Sequence, residues 1–187
     1  EGEALTALPT TSTDGFTGSW SPALNNQDTT TYTFTPTAGQ CAINAELTIV
    51  VNSLVTPDFV AVSPVCSGDT LDALPTTSTD GFTGSWLPAL NNSATTTYTF
   101  TPNTGQCATN AELIITVNQL PEFTISEGCV GSSYKLSAIE TDATNSTYEW
   151  YNPSNIQIGT ESSVVVSTAG MHKLIVTKNG CSDEQNV

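Results

Sequence analysis

Polar and apolar positions alternate in short runs along this chain. In TTTYTFTP (Thr29 to Pro36) threonines alternate with Tyr32 and Phe34, the period of two expected of a strand with one buried face. AELTIVVN (Ala45 to Asn52) is apolar and β-branched, as a strand packed into a sandwich should be, and TAGQ (Thr37 to Gln40) supplies the turn between the two. The C-terminal third repeats the theme in YKLSA, STYEWY, SSVVVS and MHKLIVTKNG, where Asn179-Gly180 is a strong hairpin signal. No stretch holds a helical period over three turns, so the pattern predicts an all-β chain.

The pattern also repeats as a unit. PTTSTDGFTGSW occurs at Pro9 to Trp20 and again, without substitution, at Pro75 to Trp86. Aligning Glu1–Asn52 with Ser67–Asn118 gives 40 identities in 52 positions. Glu1 then matches Ser67, and the expectation is that the first copy's leading strand and first cysteine lie upstream. At the other end, SDEQNV after Cys181 reads as too short for a comfortable final strand. The repeat and the prolines place modules at 1–53, 54–119 and 120–187. The connections SLVTPDF and QLPEF are too short and apolar for flexible tethers, so each junction is expected to bury Leu54 or Leu120. Short strands, regularly spaced turns and one tryptophan per module (Trp20, Trp86, Trp150) predict tandem immunoglobulin-like β-sandwich modules arranged end to end.

Composition narrows the function classes. The net charge is −15, with Lys135, Lys173 and Lys178 the only basic side chains, which argues against nucleic acid as a partner because phosphate binding needs clustered Lys and Arg. No apolar run is long enough for membrane insertion as a helix. Of five cysteines, Cys66 and Cys107 bracket one module and Cys129 and Cys181 the next, so the spacing predicts the disulfides Cys66–Cys107 and Cys129–Cys181. Cys41 is left to pair upstream. Zinc would need CxxC-type spacing with histidine support, and His172 is the only histidine. Disulfides imply an oxidising, extracytoplasmic compartment.

Candidate chemistry is sparse. Trp20 and Trp86 could stack on sugar rings, but one tryptophan in the same register of each module reads as core beside Phe34 and Phe100. The turns Asp14-Gly15 and Asp80-Gly81 could offer oxygens to calcium, yet the D-x-D-x-D-G run is missing and solvated turn aspartates are expected. The threonine array of Thr29, Thr31, Thr33 and Thr35 is explained by β-propensity better than by an ice-binding face. No nucleophile elbow, zincin motif or phosphate loop is present, and no catalytic residue, cofactor or metal is expected.

CSGDTLDALPTTSTDGFTGSW and TTTYTFTPNTGQCA make the first two modules resemble the tandem repeats of giant cell-surface gliding adhesins of Bacteroidota, which leave the cell by the type IX secretion system. CVGSSYKLSA, STYEWYNPSN and VTKNGCSDE are similar to the immunoglobulin-like or PKD-like modules of the same proteins. The resemblance implies surface display and O-glycosylation at Asp-Thr-aliphatic or Asp-Thr-Thr triplets, here Thr29 and Thr70. It implies a non-catalytic adhesin stalk or surface filament whose partners are further repeats of the same chain, surface polysaccharide or other cells, with self-association as a route to filaments. The alternative is a spacer or carbohydrate-binding accessory of a secreted hydrolase.

Overall fold

The computed structural model describes residues 1–187 and contains strands and turns but no helix. In the first copy β1 (Gly18–Ser21), β2 (Thr30–Pro36) and β3 (Ala45–Ile49) form an antiparallel sheet in that order. In the second, β4 (Val65–Cys66) precedes β5 (Gly84–Leu87), β6 (Thr96–Pro102) and β7 (Ala111–Ile115), which form the same three-stranded order. The chain then continues into β8 (Val117–Asn118), which pairs with β4 in parallel.

The remainder is a two-sheet sandwich. Its strands are β9 (Phe123–Val130), β10 (Ser133–Glu140), β11 (Thr147–Tyr151), β12 (Gln157–Gly159), β13 (Ser163–Val166), β14 (Lys173–Lys178) and β15 (Cys181–Asn186). One sheet has the order β13-β10-β9 and the other β12-β11-β14-β15. Phe123, Leu136 and Val164 from the first face Trp150, Leu174 and Val176 from the second, and these six form a single buried cluster. Each such side chain taken out of water contributes roughly 1.5–3 kcal/mol, which offsets the cost of ordering the strands. The chain is therefore all-β and built from immunoglobulin-like β-sandwich modules.

The alternation read from the sequence is realised in both copies. Tyr32 and Phe34 on β2, like Tyr98 and Phe100 on β6, point inward and are buried. Each tyrosine also ends a hydrogen-bonded corner. The Asn25 backbone N–H donates to the Tyr32 hydroxyl at 2.8 Å, and Asn91 does the same to Tyr98 at 2.9 Å. Gly18 is required by close approach, since a Cβ there would lie 2.5 Å from the Phe34 ring.

Two expectations need correction. SDEQNV is long enough for a strand: with Cys181 it forms β15, paired with β14 from Lys178↔Cys181 to Lys173↔Asn186. The turn between them has Asn179 and Gly180 both at positive φ (52° and 81°), the geometry a two-residue hairpin demands. Leu54 and Leu120 are not buried either, being 48% and 41% exposed. The residues that these connections bury are Pro57, Pro121 and Phe123, and each proline is followed by an acid and a phenylalanine (Phe59 half-buried, Phe123 buried). A proline has no N–H to satisfy, so it enters an apolar site without an orphaned donor, and the aromatic ring is the larger apolar surface to hide.

The chain divides into two compact units. One comprises Glu1–Asp58, Thr77–Ser85 and Thr101–Ala111, and the other Phe59–Thr76, Trp86–Phe100 and Glu112–Val187. Within the first, the Val55 N–H donates to the Cys107 carbonyl at 3.0 Å and the Thr109 N–H donates to the Val55 carbonyl at 2.8 Å. Within the second, Phe59 lies edge-on to Trp86 and Phe100, with ring centroids at 4.6 and 4.7 Å.

Candidate functional site

The one covalent cross-link joins Cys66 to Cys181, with Cα atoms 5.5 Å apart and a separation of 115 positions along the chain. Cys66 closes the short β4, and its position is fixed twice. β4 pairs with β8 (Val65↔Val117, Cys66↔Asn118), and a turn follows in which the Cys66 N–H donates to the Asp69 carboxylate and the Asp69 N–H returns to the Cys66 carbonyl, both at 3.0 Å. Cys181 opens β15 directly after the Asn179-Gly180 turn and is almost fully buried. The Asn118 side-chain amide donates to the Asn179 carbonyl at 3.0 Å, so a hydrogen bond lies beside the disulfide.

This replaces both predicted bridges. Cys107, Cys129 and Cys41 carry free thiols. Cys107 comes before β7, whereas Cys66 sits opposite Asn118 at the end of β8, so the whole of both strands lies between Cys107 and the position facing Cys66. Cys129 stands at the β9–β10 hairpin, paired with Tyr134. Cys181 lies at the other end of the sandwich, because Gln185 further along β15 already reaches the start of β9, donating to the Phe123 carbonyl at 2.8 Å. Cysteines at opposite ends of a strand layer cannot approach the separation that a disulfide needs.

The tryptophans serve packing. Trp150 is completely buried, with its Nε1–H donating to the Glu161 carbonyl at 3.0 Å. Trp20 and Trp86 are partly buried, and each lies 5.2 Å from its phenylalanine, Phe34 or Phe100. Their Nε1–H groups donate to the carbonyls of Pro9 and Pro75, both at 2.8 Å. Such repetition, bond for bond, is what 40 identities predict.

The acidic turns are closed from within. Gly15 and Gly81, both at positive φ, return their N–H groups to the carbonyls of Ser12 and Ser78, while the two serine hydroxyls accept from the N–H of Phe16 and Phe82. Asp80 is held below the usual carboxylate range, first by its hydrogen bond with Ser78, and it also accepts the Asp58 N–H at 3.3 Å. On the C-terminal sandwich, Lys178 donates to the Asp142 carboxylate at 2.8 Å and to its carbonyl at 2.7 Å, and that lysine, with the Thr144 hydrogen bonds, holds the Asp142 carboxyl well below its ordinary value.

The two threonines implied by the resemblance differ. The Thr29 hydroxyl is engaged, accepting the Val51 N–H at 2.9 Å. Thr70 is exposed just after the Cys66–Asp69 turn. No signal in the sequence separates them, because the difference arises where β2 meets the chain leaving β3.

His172 is buried and spent on the backbone. Its Nδ1 lies 2.9 Å from the Gly170 carbonyl oxygen, and its N–H and carbonyl pair with the carbonyl and N–H of Val187. It borders a cavity of about 440 Å³ lined by Leu136, Val166, Val187 and the hydrogen-bonded Tyr134 and Glu127. The nearest hydroxyl, Thr168, is 3.5 Å from Nε2, and no carboxylate orients the imidazole, so no nucleophile–base–orienter series is assembled.

No family model matches the chain, and no curated protein matches it. Among solved structures, the extracellular domains 3–5 of Drosophila OTK are similar to it, with a TM-score of 0.37 and 11% identity over 87% of this chain and 71% of that one. No helix of the chain is long and apolar enough to cross a membrane.

Proposed function

We propose that this chain is a non-catalytic stretch of a repeat array on a cell surface, where three modules (1–53, 54–119 and 120–187) stand end to end as a stalk or surface filament. The observation that carries the reading is the repetition itself. Two near-identical copies reproduce the same tryptophan, tyrosine and serine bonds, and their side chains are spent on holding the fold. The Cys66–Cys181 bond supports an oxidising compartment and hence display outside the cytoplasm. The excess of 18 acidic over 3 basic side chains supports a surface that repels copies of itself until a specific contact is made.

Within that reading, the resemblance to Bacteroidota gliding adhesins supports export by the type IX route and a role in adhesion during gliding, with surface polysaccharide or other cells as partners. Thr70, exposed beside the disulfide turn, is the better acceptor for an O-linked sugar than Thr29, whose hydroxyl already bonds the backbone. Small-angle scattering tests the stalk. Three sandwiches with strands of about 7–10 residues at ~3.3 Å per residue give a maximum dimension of roughly 90–120 Å. A particle about half as long would overturn it.

A further inference from the structure

An inward position in a sandwich is ordinarily apolar, because a buried polar group must find a partner or lose its hydration uncompensated. The C-terminal sandwich keeps that rule along most of its interior and breaks it at one end. On β10 Leu136 belongs to the buried cluster, and Tyr134, two positions away, faces the same side. Glu127 on β9 stands directly opposite Leu136, and Val166 on β13 directly opposite Tyr134, so both share that inner face. His172 precedes β14 in phase with Leu174 and Val176 and enters from the other sheet. Glutamate, tyrosine and histidine thus occupy three inward positions, and the two layers do not close over them. What remains between them is the cavity of about 440 Å³, a size typical of small-molecule sites.

Its polar groups are mostly acceptors. The Tyr134 hydroxyl donates to the Glu127 carboxylate, which keeps further lone pairs at the exposed mouth. His172 is only 4% exposed. A carbonyl oxygen can only accept, so the Nδ1 facing Gly170 carries the proton, and in the neutral ring Nε2 keeps a lone pair. The Thr168 hydroxyl, at 3.5 Å, stands at the outer limit of reach for that lone pair. A buried acceptor is left close to unmet, which costs free energy until a donor arrives. No cation completes the set. Lys173 and Lys178 are paired with Glu184 and Asp142, and Lys135 alternates to the opposite face of β10. A phosphate, sulfate or carboxylate therefore has nothing to hold it here. The walls suit a neutral molecule with several hydroxyl donors and an apolar C–H face, which Leu136, Val166 and the 41%-exposed Tyr134 ring can cover.

We propose that this end of the C-terminal sandwich is a binding site for a neutral pyranose, one sugar ring of a polysaccharide. One hydroxyl of the sugar donates to His172 Nε2, a second donates to Glu127, and the C–H face of the ring lies against Tyr134. The proposal gives the surface reading above a specific partner, and rests on that reading for where the sugar is met.

The test titrates the isotopically labelled full chain with the methyl glycosides of glucose, galactose, mannose and N-acetylglucosamine, followed by NMR. At least one is expected to shift Leu136, Val166 and the His172 ring together, with a dissociation constant on the order of 1 mM. Glu127→Ala at the exposed mouth should weaken that binding about tenfold, and Val166→Trp, which fills the cavity, should abolish it. Lys135→Ala, on the opposite face of the same strand, should change nothing. Glu127 lies at the surface, so its variant should keep the Trp150 and Leu174 signals, and the comparison holds even where Val166→Trp disturbs the fold. The proposal is overturned if no glycoside shifts the cavity residues, if the shifts fall on the outer sheet faces, or if Glu127→Ala binds as well as the native chain. Shifts produced by n-butylammonium and by none of the sugars would make the site an amine pocket and overturn it too. Scattering length is read independently, so the stalk can stand while the sugar site falls.

Discussion

Phe59 carries more of the second copy than any one residue of its connection, because it touches both Trp86 and Phe100 while only partly buried itself. Phe59→Ala is expected to cost about 2–3 kcal/mol, somewhat less than a fully buried phenylalanine, and to move Trp86 emission to longer wavelength in equilibrium unfolding followed by fluorescence. Residue-scale packing of this kind was half legible. The alternation around Tyr32 and Phe34 declares which side chains point inward, but hydrophobicity also favours Leu54 and Leu120 as buried anchors, because it does not say where the backbone can pass without an orphaned N–H. Pro57 and Pro121 solve that problem, and the hydrophobic pattern does not mark them. Asp142 makes a second prediction at this scale. Its folded pKa is depressed, chiefly by Lys178, so its contribution is present above the ordinary aspartate value near 3.9 and is lost as pH falls through the lower folded value. Carbon-13 titration should show Asp142 ionised at pH 3, and Lys178→Met should return its midpoint toward the ordinary range.

At the scale of elements, the strands read from periodicity are present, while pairings that depend on distant parts of the chain were not visible. β9 begins with the alternating FTIS, and β4 is only two residues long, recognisable once β8 lies beside it. The cysteines failed for the same reason. Bracketing assumes that a bridge closes the module it borders, but Cys107 and Cys129 are held at ends of strands remote from those partners. Peptide mapping without reduction should recover Cys66 linked to Cys181, with Cys41, Cys107 and Cys129 alkylated. Closing a loop of 115 residues is worth about 5 kcal/mol in the chain-entropy model, so Cys66→Ser with Cys181→Ser should lower unfolding stability by up to that amount. A change confined to the first copy would contradict the assignment.

For the whole molecule, the turn aspartates at 14 and 80 sit in loops that close through their own serine and glycine bonds, so divalent cations have little structure to supply. Adding EDTA is expected to leave the melting temperature within about 1 °C, and a fall of several degrees would identify the acidic turns as ligands. The disulfide has a further consequence when the chain is put under tension. Pulled by its two ends, the polypeptide would transmit force from Cys66 to Cys181 through sulfur, and the 115-residue span they enclose would be spared extension. In a single-molecule stretching experiment, reduction should release roughly 400 Å of additional contour length, at about 3.5 Å per residue. The redox state of one bond would thus set how far this stretch of chain can lengthen before it breaks or lets go.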